Sequence, residues 1–347
     1  RRYDHLLVGV GSVDAITIPG LAEHGRSVKG EWALQATHDH LDDVLQDAAR
    51  TADPVERERL RTIVVAGGGF AGVEMAAAIA ERVAVLDRDR GAGTPAGRVV
   101  LVHRGDALLP EVRPRFDRLA DYATARLADL GVEVRLGAGL DAVTAAGAVV
   151  DGTMIEAATV VSTVGQAMVP LPGTEALRRD ERGRMVTDAW LQTSQPGVWA
   201  GGDVAAVPHV LDGTPCPPNA LWAIKHGVRV GDNIVRSIRG RRLRRFRFLG
   251  LGQAASLGVG RGAVELYGVT LTGWAGWLAR WAFFHWFMPS RRRALATVRD
   301  WFALGRTGRH LRPLGAAVGV GADVVVVPDA AARAARTAGT VDEPLAA

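Results

Sequence analysis

A single cysteine, Cys216, occurs among the 347 residues. One thiol excludes an internal disulfide, a CxxC redox pair and an all-cysteine metal site built from this chain alone. Any electron transfer must therefore rest on a bound cofactor. Long apolar runs are missing too: a bilayer-crossing helix needs about 20 predominantly apolar residues. The nearest approach, Leu271 to Pro289, is interrupted by Arg280 and His285. The opening Arg1-Arg2-Tyr3-Asp4-His5 leads into only a short apolar stretch, which does not read as a signal peptide. There is no initial methionine and the first strand begins almost at once, so the sequence reads as N-terminally truncated.

What is present is globular in composition, with 48% hydrophobic and 23% charged residues. That balance excludes a disordered chain, and the length suffices for two ordinary domains. The net charge of +5 is unevenly spread. Arg239, Arg241, Arg242, Arg244, Arg245 and Arg247 crowd one stretch, and Arg291, Arg292 and Arg293 another. Such clusters suit an acidic partner, a phospholipid surface or nucleic acid, or else form a solvated basic loop. No nucleic-acid recognition motif accompanies them, so no nucleic acid is expected.

Hydrophobic patterning predicts an α/β protein. Leu6 to Val10 reads as a short buried strand, residues 30–60 as largely helical, and Thr62 to Ala66 as a β-branched strand. A helix over Val73 to Val85 follows, then a polar insertion over Asp87 to Gly97 and a strand at Val99 to Val102. Phe116, Leu119, Ala120, Ala123, Leu127 and Leu130 recur at helical spacing, with Gly131 placed as a C-cap. Short strands separated by tight turns between residues 132 and 164 predict an antiparallel meander before the last parallel strand. Val198 to Ala200 is another short strand, and a helix runs from about Asn219 to Ile238. The tail beyond Gly315 carries only a strand-like Asp323 to Val327.

Chemistry is concentrated at Gly67-Gly68-Gly69-Phe70-Ala71-Gly72, a GxGxxG pattern directly after a strand and before a helix. In such a turn Gly67 permits the tight bend, Gly69 lets backbone approach a pyrophosphate, and Gly72 allows close packing of helix on sheet. The helix N-terminus then faces the phosphates with partial positive charge. The end of the next strand sets which nicotinamide cofactor binds: an acid there holds the ribose of NAD, whereas Arg suits the 2′-phosphate of NADP. Here it reads His103-Arg104-Gly105-Asp106. His103 and Arg104 favour the extra phosphate, Asp106 is placed to serve NAD by swinging in, and a plain solvated loop cation is the bland account of Arg104.

The run TIVVAGGGFAGVEMAAAIA over residues 62–80 resembles the second nucleotide-binding unit of the type II NADH:quinone oxidoreductases. These are FAD- and NAD(P)-dependent flavoproteins related to the pyridine nucleotide-disulfide oxidoreductases. The resemblance implies that Glu74 lies near nicotinamide and flavin; the residue-level alternative is an acid complementing the helix dipole. Val198 to Ala205 is similar to the family's terminal FAD motif, which makes Gly202 and Asp203 the grip on the ribityl chain, where a plain turn is the alternative. Tyr3 to Ser12 resembles the strand returning from the first FAD half, implying that Gly11 and Ser12 pass close to the FAD phosphates. Gly165 and the following Gln166 resemble the crossover back to the FAD domain. Asn219, Ala220, Leu221 and His226 fall on the helix that caps the flavin and borders the quinone pocket; the family has glutamines where Leu221 and His226 stand. The amino end of that helix suits negative charge on reduced flavin.

These likenesses imply a two-dinucleotide-binding-domain (Rossmann-like) flavoprotein fold, N-terminally truncated, with a C-terminal amphipathic membrane-associating segment. The expected division is 1–60 as a remnant of the FAD-binding domain with a connecting helix and 61–165 as the NAD(P)-binding domain with its meander. Residues 166–238 are the returning FAD-binding part, 239–313 the membrane-associating region and 314–347 the tail. The family's first GxGxxG unit, which binds the ADP half of FAD, has no counterpart before Gly67. Trp274, Trp277, Trp281, Phe283, Phe284, Trp286, Phe287 and Met288, followed by the arginines, suit a helix lying in the headgroup layer, or else a dimer interface or core. The resulting expectation is FAD and NAD(P)H as cofactors, Glu74 and His226 at the reacting centre, and a quinone or other electron acceptor. The enzyme would sit peripherally at the cytoplasmic face of the cell membrane, with a homodimer the oligomer in view. A soluble ferredoxin or monooxygenase reductase and a non-catalytic NAD(P)-binding remnant are the alternatives.

Overall fold

The computed structural model describes residues 3–89, 97–169, 171–288 and 290–307. Two compact units divide the chain, Arg1–Val298 and Arg299–Ala347. The second is described only as far as Thr307, so the strand expected at Asp323 lies outside the described residues. Most of the expected insertion, residues 90–96, lies outside them as well.

The chain opens with β1 (Leu6–Val8), β2 (Val13–Asp14), α1 (Leu21–His24), α2 (Glu31–Arg50) and α3 (Pro54–Arg61). Helix α3 begins where the sequence supplies both a cap and a Pro: the Asp53 carboxylate accepts from the Val55 N–H at 2.9 Å, and Pro54 takes the first helical position. Strand β3 (Thr62–Ala66) follows without a loop and is buried along its whole length. A β-branched strand hidden on both faces belongs at the centre of a parallel sheet.

That sheet has the order β5-β4-β3-β9, formed by β4 (Arg98–His103), β5 (Glu133–Leu136) and β9 (Thr159–Ser162), and every pair in it is parallel. Helices α4 (Phe70–Asp89) and α5 (Asp117–Asp129) cover one face. Ala76, Ala77 and Ala80 of α4 are buried there, and their small side chains let the helix lie close on the strands. The opposite face packs against an antiparallel meander of β6 (Leu140–Thr144), β7 (Gly147–Val150) and β8 (Thr153–Glu156), through Leu140, Val143, Ala148 and Ile155. Gly131 has φ 73°, the left-handed value a C-cap glycine takes.

A second core gathers Val8, Met185, Trp199, Val207, Trp222, Val230 and Phe246. Around it lie β10 (Gln166–Ala167), β11 (Met185–Val186), β12 (Val198–Ala200), β13 (Ala205–Ala206) and α6 (Ala220–Ile238). Strand β12 pairs in parallel with β1, and β10 pairs antiparallel with β2, so the first residues and residues 166–206 form one region.

The glycine-rich stretch after Gly250, which showed no strand signal, forms a three-stranded antiparallel sheet: β14 (Gly252–Ser256), β15 (Gly262–Leu266) and β16 (Val269–Thr272). Ala255, Leu257 and Ala263 of this segment join the first core beside α4 and α5. Part of the stretch 239–313 therefore packs into the core of the parallel-sheet unit. Helix α7 (Gly273–Phe287) crosses β15 closely because Gly276 faces the carbonyl of Gly262, and a Cβ there would meet it at 2.7 Å. Helix α8 (Arg291–Thr307) follows. Trp274 at 64%, Leu278 at 53% and Trp286 at 84% exposure recur on one stripe of α7, while Arg280 turns inward. Its outer face is thus apolar and its polar contacts are internal. Among the described residues, no helix is long and apolar enough to cross a membrane.

Candidate functional site

The 67–72 turn is closed by backbone. A Cβ on Gly72 would overlap the Gly67 carbonyl oxygen, and one on Gly67 would overlap the Thr163 hydroxyl. Gly67 has φ 116°, which an L side chain rarely adopts. Thr163, one residue past β9, donates its hydroxyl to the Ala66 carbonyl at 2.8 Å and so packs under the turn. The Gly67 N–H reaches Val102 O at 2.9 Å, and the Leu109 N–H reaches Gly68 O at 2.8 Å. Gly69 is covered only by the tip of the exposed Glu111 side chain. Phe70 is partly buried against the first core, Ala71 is exposed, and the first peptides of the 20-residue helix α4 begin here. A turn this tight ahead of a long helix fits a pyrophosphate, because free N–H groups and the helix dipole both favour an anion.

At the end of β4 the His103 ring lies between Gly68 and Gly105, where a Cβ on either would strike it. The Gly68 N–H donates to His103 Nδ1 at 3.1 Å. Arg104 is exposed and runs along the 137–139 turn, its Nε 3.1 Å from where a Gly139 Cβ would stand. Asp106 is exposed, with no hydrogen bond or ion pair to it among the described residues.

Around Asp203 the turn is held by side chains instead. Gly202 has φ 76°, and its N–H donates to His226 Nδ1 at 3.1 Å. The Ser12 hydroxyl donates to one Asp203 oxygen at 2.9 Å, and the Lys29 ammonium donates in turn to Ser12. The other Asp203 oxygen receives no protein donor among the described residues and is available to a ligand hydroxyl. Gly11, at φ 72°, has open space where a side chain would project. Asn219 caps α6, its side-chain oxygen accepting from the Trp222 N–H at 3.1 Å, with Ala220 and Leu221 in the first turn.

His226 is only 2% exposed, with Phe246 edge-on at 4.6 Å and Trp222 at 6.2 Å between ring centroids. Burial lowers its pKa to about 4, against a smaller upward pull from Asp203. Near neutral pH the ring is uncharged, with Nδ1 accepting from Gly202 and the proton on Nε2, which has no partner among the described residues. This geometry makes His226 a brace for the 201–203 turn.

Glu74 is the fifth residue of α4, past the first turn where a helix dipole acts most strongly. Its Oε1 accepts from the Ser256 N–H at 2.6 Å and from the Arg280 guanidinium at 2.9 Å. The pair is 29% and 28% exposed. Burial raises the Glu74 pKa, and the Arg280 charge and the Ser256 bond oppose that rise. One carboxylate therefore joins α4, β14 and α7.

The structure links the two turns by a relay of contacts. Thr163 supports Gly67, the next segment pairs across β10 and β2 (Gln166 with Asp14) where a Cβ added to Gly165 would meet Ala15, and Ser12, three residues before Ala15, binds Asp203. Thr163, Lys29 and Arg280 had no motif to announce them, and Arg280 read only as an interruption of an apolar run. Cys216 is buried, which pushes its thiol up to about 11 and leaves it unreactive. Among the described residues no cluster could hold a metal ion.

The family model described as pyridine nucleotide-disulphide oxidoreductase matches residues 1–227. A type II NADH:quinone oxidoreductase of Staphylococcus epidermidis is 26% identical over 277 residues, covering 78% of this chain and 67% of that protein. The demethylphylloquinone reductase NdbB of Synechocystis is 26% identical over 319 residues, 90% of this chain and 71% of its own length. Among solved structures, NDH2 of Plasmodium falciparum in complex with NADH superposes with a TM-score of 0.78 at 13% identity, covering 88% of this chain and 78% of that one.

Proposed function

Because the chain belongs to the pyridine nucleotide-disulphide oxidoreductase family, we propose that it oxidises NAD(P)H with FAD and passes the electrons to a quinone. The observation that carries this reading is the relay from the 67–72 turn through Thr163, Gly165 and Ser12 to Asp203, which ties a pyrophosphate turn to a flavin grip. The names of the Staphylococcus epidermidis and Synechocystis relatives, both quinone-linked reductases, support the acceptor. Despite the family's label, the lone, buried Cys216 gives this sequence no disulphide to reduce.

FAD, when bound, supplies the redox chemistry, taking a hydride and releasing electrons singly or in pairs. The chain's own groups position and shield. Gly67, Gly69 and Gly72 admit the nicotinamide cofactor's pyrophosphate, with Phe70 and Ala71 opening the helix beneath it. Gly11, Ser12, Gly165, Gly202 and Asp203 hold the flavin cofactor, the free Asp203 oxygen accepting from a ribityl hydroxyl. Asn219, Ala220 and Leu221 present the start of α6, whose dipole favours negative charge. Glu74, a carboxylate held by Arg280 and raised in pKa by burial, is the group available to exchange a proton beside the reacting rings. His226 keeps the Gly202 backbone in place as a positioning residue.

The exposed stripe of Trp274, Leu278 and Trp286, followed by the exposed Arg291, Arg292 and Arg293, fits a peripheral seat on an anionic membrane, at its cytoplasmic face. Trp286→Ser should weaken sedimentation with anionic vesicles several-fold; unchanged sedimentation would remove the membrane from this reading. The activity is tested by NADH-dependent reduction of a water-soluble quinone with the FAD-reconstituted chain. Turnover that survives in both Gly72→Ala and Asp203→Ala would contradict the assignment.

A further inference from the structure

The nicotinamide cofactor's adenosine ribose sits, in dinucleotide-binding α/β units, at the end of the second strand, where a carboxylate selects the free 2′-hydroxyl. This chain has no carboxylate there. Strand β4 ends at His103, and its neighbour is Arg104. We propose that Arg104, seated beside the buried His103 ring, forms a 2′-phosphate subsite, so that the reduced cofactor this chain prefers is NADPH. The proposal rests on the reading of the 67–72 turn as the pyrophosphate turn.

Three glycines build the subsite. Gly68 and Gly105 leave room for the His103 ring between them, and Gly139 leaves room for the Arg104 guanidinium along the 137–139 turn. That turn is fixed to the strand end by backbone bonds from Gly137 N–H to Gly105 O and from Ala138 N–H to His103 O, both 2.9 Å. Arg104 thus stands on a rigid base beside the pyrophosphate turn, and the His103 ring is packed into that base.

The hydrogen-bonding capacity that faces a ligand has one sign. His103 is part of the base and not of the ligand surface: its Nδ1 accepts from the Gly68 N–H at 3.1 Å and its Nε2 is buried against Gly105. Arg104 offers only donors, and among the described residues no carboxylate pairs with it. A phosphate is all acceptors and carries close to two negative charges, so donors and charge both match it. The 2′-hydroxyl of NAD needs an acceptor, which Arg104 does not supply. Asp106, the nearest acid in sequence, lies one residue past Gly105, whose carbonyl is tied to Gly137.

Isothermal titration of the full chain with NADP⁺ and with NAD⁺ tests this without any turnover. NADP⁺ should bind at least about tenfold more tightly. Arg104→Ala, an exposed position that leaves the fold alone, should cost about tenfold for NADP⁺ and change NAD⁺ little, and the preference should shrink as salt is raised. Asp106→Asn should alter neither. Equal affinities, tighter NAD⁺, an Arg104→Ala loss shared by both nucleotides, or weaker NAD⁺ binding in Asp106→Asn would overturn the subsite while leaving the hydride-transfer reading standing. Failure to bind either nucleotide would overturn both.

Discussion

At the 67–72 turn the glycines are demanded by their own backbone, since a methyl on Gly72 would collide with the Gly67 carbonyl. At the 201–203 turn Gly202 has space around it, its nearest neighbour from an added Cβ being Ala223 at 3.4 Å. Its shape is held from outside, by His226 on one side and by Ser12 and Lys29 through Asp203 on the other. One turn is rigid because of what it lacks, the other because of what distant segments bring to it. The first should therefore fail by steric overlap and the second by loss of a side chain or of a protonation state.

The largest expected effect belongs to the side-chain-held turn. His226 titrates near 4 in the fold against an ordinary 6.5. Folding thus favours the neutral ring; its contribution is complete above pH 6.5, declines as pH falls through the window to about 4, and is gone below it. With each pH unit worth about 1.4 kcal/mol, the loss is about 3 kcal/mol. Denaturant unfolding at pH 7 and pH 4 should show it in the parent chain and not in His226→Gln, and equal losses in both would break the comparison.

Next comes Gly72→Ala. Overpacking against backbone costs roughly 1–3 kcal/mol, about five- to 150-fold in affinity. Calorimetric NAD(P)H binding should weaken by that factor while flavin affinity is kept. Loss of both would mean that the two turns are not separable.

That difference also explains what the sequence made legible. Steric demands leave a local pattern, and the Gly67, Gly69 and Gly72 spacing between a β-branched strand and a helix was readable without any structure. The parallel sheet and the meander over residues 140–156 were readable for the same reason, from period and turn chemistry. Ser12 and Asp203 are 191 positions apart, and nothing in the local pattern joins them to each other or to Lys29; only family resemblance singled out the first two. The sheet at 252–272 was hidden because β14 (GQAAS) has no β-branched residue and β15 (GAVEL) only Val264, so that the β-branched β16 (VTLT) had no partner legible beside it. His226 was read as part of the reacting centre; its ring is buried and accepts from the Gly202 N–H, contacts that the sequence did not announce and that support the positioning role proposed for it.

Smaller effects sharpen the comparison. Arg280→Ala leaves Glu74 without its counter-charge, so its pKa should rise further and the pH profile of flavin reduction should move upward. Loss of a charged hydrogen bond of this kind is worth about 1.5–3 kcal/mol when buried, and about 1 kcal/mol is expected at this partial exposure. An unmoved profile would detach Glu74 from proton transfer. Gly202→Ala should be milder than Gly72→Ala: the left-handed φ costs about 1 kcal/mol and no atom is displaced. Flavin affinity should fall about fivefold, and a loss exceeding that of Gly72→Ala would reverse the ranking of the two turns.

The central claim is that a nicotinamide held at the 67–72 turn meets a flavin held by Asp203. Anaerobic mixing of the FAD-reconstituted chain with NADH or NADPH, followed by the flavin's visible absorbance, measures it directly. The account predicts prompt bleaching that a quinone then reverses, slowed in Gly72→Ala at fixed nucleotide concentration. Tight binding of both cofactors with no bleaching would contradict it.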